Sequence, residues 1–99
     1  MVEEDERFLV VNGRRWRRAD PSLPDDVVSA LTSHLGRARN AVKQAKRAGD
    51  EDALASARGR VQVAKVGLGE RSDPWWELSE EARQERAREA VEQLEESGG

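Results

Sequence analysis

Ninety-nine residues, of which 37% are charged and only 36% hydrophobic, leave room for one modest core, and a single small domain is expected. The absence of cysteine excludes a disulfide framework and thiolate metal sites, and it fits a reducing compartment. No apolar run approaches the roughly 20 residues that cross a bilayer, and Glu3-Glu4-Asp5-Glu6 is the reverse of a basic signal-peptide start, so a cytoplasmic protein is expected.

The net charge of −3 conceals a segregation along the chain. Residues 7 to 65 carry 13 Lys and Arg against 6 Asp and Glu, whereas residues 66 to 99 carry 4 against 10. A basic body thus lies between two acidic ends. The first of these, residues 1–6, has too little apolar surface to fold against anything and is expected to be disordered.

Arg7-Phe8-Leu9-Val10-Val11 and Arg14-Arg15-Trp16-Arg17-Arg18 flank Asn12-Gly13, the pair best able to occupy the two positive-φ positions of a type I′ turn. A β-hairpin over 7–18 follows, with Val11 opposite Arg14, Val10 opposite Arg15 and Leu9 opposite Trp16. One face collects Leu9, Val11 and Trp16 and is expected to point to the core, while the other collects Phe8, Val10, Arg15 and Arg17.

Asp20-Pro21-Ser22-Leu23-Pro24-Asp25 reads as a turn into a helix over 24–48, with Ser22 as N-cap. Val28, Leu31, Leu35, Ala38, Val42 and Ala45 recur at intervals of three and four, and Gly49 stops the pattern. Asp50 caps a second helix over 51–68, whose seam is Leu54, Ala57, Val61, Ala64 and Leu68. Two seams joined by so short a connection make an antiparallel hairpin, the first helix of about 37 Å overhanging a second of about 27 Å.

That overhang lies at the open end, where the β-hairpin enters and Pro74-Trp75-Trp76 leaves. A cluster of Phe8, Leu9, Trp16, Val28, Leu31, Leu68, Trp75 and Trp76 is expected there, supplying the burial that an alanine-rich seam lacks. Residues 77–96 favour a helix, with Ser79 as a cap and a thin stripe of Ala82, Ala87, Ala90, Val91 and Leu94. The stripe predicts an acidic helix loosely attached to the body, then a disordered 97–99. The expected fold class is therefore mainly α: a β-hairpin packed on the open end of a two-helix hairpin, plus that loose helix.

No catalytic, metal or cofactor constellation stands out, and a non-enzymatic protein is expected. His34, the single histidine, has no assignable partners and reads as structural or merely exposed. Ala55, Gly59, Val63 and Gly67 form an i, i+4 row of small residues on the second helix; close approach of another backbone would explain the glycines, though sequence drift is the simpler reading.

The candidate binding surface is Arg7, Arg14, Arg15, Arg17 and Arg18, whose bland reading is a solvated ribbon. Interleaved arginines and aromatics point to an interaction module for an acidic partner, either a protein or, in the runner-up reading, nucleic acid with the acidic helix as internal competitor. A second copy of the chain could also complete the alanine-rich seam.

Three stretches carry a resemblance: the run from Asn12 to Pro21 containing Asn12-Gly13-Arg14-Arg15-Trp16-Arg17-Arg18, the stretch from Ala57 to Arg71, and Pro74-Trp75-Trp76. They resemble a family of short bacterial proteins with no established function. The resemblance covers roughly residues 7 to 76, implies a shared fold and supplies no activity. Alanine is usual in that family where Gly59 and Gly67 stand here.

Overall fold

The structure, a computed structural model, describes residues 4–97. A single helical turn α1 (Glu4–Arg7) leads into β1 (Phe8–Val11) and β2 (Arg14–Arg17). Three helices follow, α2 (Asp25–Ala48), α3 (Glu51–Leu68) and α4 (Glu80–Glu96), with one 3-10 turn at Trp75–Glu77 before the last. Of the two ends expected to be disordered, residues 1–3 and 98–99 lie outside the described residues. Glu4 to Glu6 form most of α1, and Ser97 closes α4 with its hydroxyl donating to the Gln93 carbonyl at 2.9 Å.

The β-hairpin has the register that a two-residue loop dictates, Phe8 to Arg17, Leu9 to Trp16, Val10 to Arg15 and Val11 to Arg14. Asn12 and Gly13 take positive φ values of 52° and 78°, the requirement that makes Asn-Gly the preferred pair. The expected N-cap is different. Helix α2 begins after Pro24, which has no side-chain cap bond, because Ser22 turns back and donates to Asp20 instead. Gly49 and Gly69 end α2 and α3 in left-handed conformation, and Asp50 and Ser79 cap α3 and α4 by accepting from Ala53 and Ala82.

The two seams meet as an antiparallel pair, with Leu31, Leu35, Ala38, Ala45, Ala57, Ala64 and Leu68 buried. The third helix is not loosely attached. Ala87, Ala90 and Leu94 of α4 are buried against Leu23, Leu31, Leu35, Ala64 and Leu68, so the molecule is a three-helix arrangement with α4 as a full member. The thin stripe suffices because α3 offers it a hollow at Gly67. A Cβ built there would lie 2.5 Å from that of Ala90, so the two helix backbones approach as closely as glycine allows. Gly59, by contrast, has open space around it. Close approach thus explains one glycine of the pair.

The core therefore sits among the three helices, and the expected aromatic cluster is not its centre. Trp75 is 2% exposed, Phe8 and Trp76 are half-buried, and Trp16 is 40% exposed. The hairpin is turned over relative to expectation: Phe8, from the supposedly outer face, meets the edge of Trp76 at 5.4 Å. Arginine planes stacked on the rings make this half-cationic face the better one to lay on tryptophan. At the open end, α4 of the same chain covers Leu31, Leu35, Ala64 and Leu68 of the two seams.

Candidate functional site

Five arginines belong to the ribbon and its approach, and aromatic rings order four of them. Trp76 has Phe8 and Trp75 at its edges and the Arg7 and Arg17 guanidinium carbons 5.0 and 5.7 Å from its centre. Arg15 lies over Phe8 at 4.2 Å and Arg14 over Trp16 at 4.8 Å. Each such contact is worth about 0.5–1 kcal/mol at an exposed site and fixes the cation's position without neutralising it.

The five do not share one role. Arg17 donates to the Ser72 carbonyl at 2.8 Å, tying the ribbon to the loop after α3, and Arg18 donates to the Phe8 carbonyl at 3.0 Å within the ribbon. Arg14 and Arg15 follow the turn at the start of β2, where both are exposed. Trp75, singled out with the ribbon aromatics, has its indole N–H donating to the Arg18 carbonyl at 3.0 Å, so it anchors the strand end.

Sequence reasoning missed a second basic feature. A groove of about 450 Å³ on the flank of the α2–α3 pair is lined by Arg39, Val42, Arg58, Val61, Gln62 and Arg71. Val42 and Val61 are half-buried seam residues and form the floor. Arg39 and Arg58 each precede a floor valine by three positions and so share its helix face. That phase was readable; the pairing across helices and the arrival of Arg71 from the following loop were not. Arg71 donates to the Gln62 side-chain carbonyl at 2.7 Å.

Lys65 links groove and ribbon. Its ammonium lies 5.9 Å from the Trp16 ring centre. Burial, followed by the charges of Arg71 and Arg39, holds its pKa below the ordinary lysine value, with Glu70 opposing. Trp16 thus lies beside a positive stretch of α3 rather than in the core.

A different cluster closes the open end of the helical pair. Asp20 is 3% exposed, and its backbone N–H donates to the Leu68 carbonyl at 2.8 Å. Its carboxylate accepts from the Ser22 N–H and hydroxyl and from both Nε and Nη2 of Arg83. Burial alone would raise its pKa; the Arg83 and Ser22 hydrogen bonds and the Arg83 charge outweigh that and hold it below its usual 3.8. Arg83 also lies over Trp75, Gln84 donates to the Ser22 carbonyl and Arg86 to that of Asp73, so α4 is bolted to both loops.

His34 is buried beside Arg37, which donates to its Nδ1 at 3.1 Å. Among the described residues no group of three or more His, Cys, Asp or Glu could hold a metal ion, and no helix is long and apolar enough to cross a membrane. Comparison with protein-family models, with curated proteins and with solved structures finds no match to this chain.

Proposed function

We propose that the chain is a non-enzymatic interaction module that presents its arginine-rich ribbon to an acidic partner. The observation that carries this reading is the stacking of Arg7, Arg14, Arg15 and Arg17 on aromatic rings, which holds cations in fixed places on an edge of the molecule. Preordered side chains lose less conformational freedom on binding. Pinning of α4 by Arg83, Gln84 and Arg86 argues against the version in which that helix competes for the ribbon.

The test uses immobilised poly-glutamate and oligothymidylate, two polyanions of different chemistry. Arg14→Glu/Arg15→Glu leaves the bonds of Arg17 and Arg18 in place and is expected to elute from at least one of them at lower salt than the parent. Unchanged elution from both, or no retention of the parent by either at about 50 mM salt, overturns the reading.

A further inference from the structure

We propose that the binding face extends beyond the ribbon as one basic track, running from Arg14 and Trp16 through Lys65 to Arg71, Arg39 and Arg58, and that its occupant is single-stranded nucleic acid. The inference rests on the ribbon reading above and adds both the extent of the surface and the partner.

Continuity comes from Trp16 and Lys65. The indole touches the ribbon through Arg14 at 4.8 Å and reaches Lys65 of α3 at 5.9 Å. Lys65 lies one turn beyond the groove residues Val61 and Gln62 on the same side of α3, and the charges of Arg71 and Arg39 act on it. Five cations, Arg14, Lys65, Arg71, Arg39 and Arg58, therefore lie across one strand, two helices and a loop. Glu70 is the acid that acts on Lys65, and among the described residues no carboxylate lines the groove.

Several features favour a single strand. Cations spread over a strand, two helices and a loop suit a flexible polyanion, whose repeated phosphates meet them without a matched surface. Trp16 is an exposed indole on that line, and a base can stack on it only when it is not held inside a duplex. Val42 and Val61 give the groove an apolar floor on which a splayed base can lie. The acidic helix of a second copy fits less well. The outward residues of α4, including Glu81, Glu85, Glu92 and Glu96, carry charge and no large apolar side chain to cover the valines.

The experiment measures fluorescence anisotropy of labelled oligothymidylate of about 16 nucleotides with the full chain. With five cations engaged, log K should fall against log salt with a slope of about −3.5. Arg39→Glu/Arg58→Glu, both exposed helix positions away from the ribbon, should weaken binding at least about tenfold and flatten the slope by about 1.4 while circular dichroism stays unchanged. Trp16→Ala should cost about fivefold or more, with Trp16→Phe recovering most of it. Wild-type affinity in the groove variant, alongside loss in Arg14→Glu/Arg15→Glu, overturns the track and leaves the ribbon reading standing. Retention by poly-glutamate with no binding of the oligonucleotide overturns the nucleic-acid assignment alone. Failure of both polyanions removes the ribbon reading as well.

Discussion

Arginine does opposite jobs at two places in this molecule. At the open end Arg83 is mostly buried and delivers two hydrogen bonds to a buried carboxylate, whereas at the ribbon tip Arg14 and Arg15 are exposed and rest on rings. The first arrangement uses up the charge to join α4 to the Asp20 loop. The second holds an exposed cation against a ring. Charge count distinguishes neither, since both draw on the same side chain; what separates them is whether a carboxylate is buried with it.

The sharpest way to break the contrast is to remove the carboxylate. Asp20→Ala leaves the Arg83 guanidinium without its partner and is expected to destabilise the fold by about 3 kcal/mol, read by urea denaturation. The pH dependence follows the same group. Because the folded pKa of Asp20 lies below 3.8, its contribution is fully present above that value and is lost as pH falls through the lower, folded pKa. Acid titration of stability should therefore show a loss below about pH 3.8 that is smaller in Asp20→Asn.

Next in size is the helix contact beside the same junction. Gly67→Ala drives a methyl group into Ala90 and should cost about 1–3 kcal/mol, with Ala90→Gly in the same chain restoring part of it. Gly59→Ala, in open space on the same helix, should instead stabilise by about 1 kcal/mol. The smallest effect belongs to the ribbon tip: Arg14→Glu, which gives up one ring contact, should cost only about 0.5–1 kcal/mol of stability while altering polyanion retention. A large loss of stability there would erase the distinction between the two kinds of arginine.

What could be read in the chain was local. Asn12-Gly13 dictates the turn and with it the strand register, and the spacing of Leu31, Leu35, Ala38 and Ala45 dictates which face of α2 is buried. Asp50 and Ser79 cap helices for reasons contained within three residues. The misses all depended on distant partners. Asp20 and Arg83 are 63 positions apart, and nothing beside Asp20 announces a guanidinium. The alanine stripe of α4 looked too thin to bury because its depth is set by Gly67 on another helix. The hairpin chose its Phe8 face because Trp76 and two arginine planes await it there, a preference that alternation of apolar and charged residues does not encode. The ribbon arginines were visible as a run, whereas Arg39, Arg58 and Arg71 were not, since they converge only once α2 and α3 lie side by side.

The seat of α4 also sets the order in which the chain can become complete during synthesis. The α2–α3 pair forms through contacts close in sequence and can close early, but Leu31 and Leu35 then still await Ala87, Ala90 and Leu94. Until the last helix leaves the ribosome, Asp20 lacks its guanidinium and an apolar strip faces water. A chain cut after Trp76 would stop at that stage, an adhesive intermediate rather than a smaller copy of the protein.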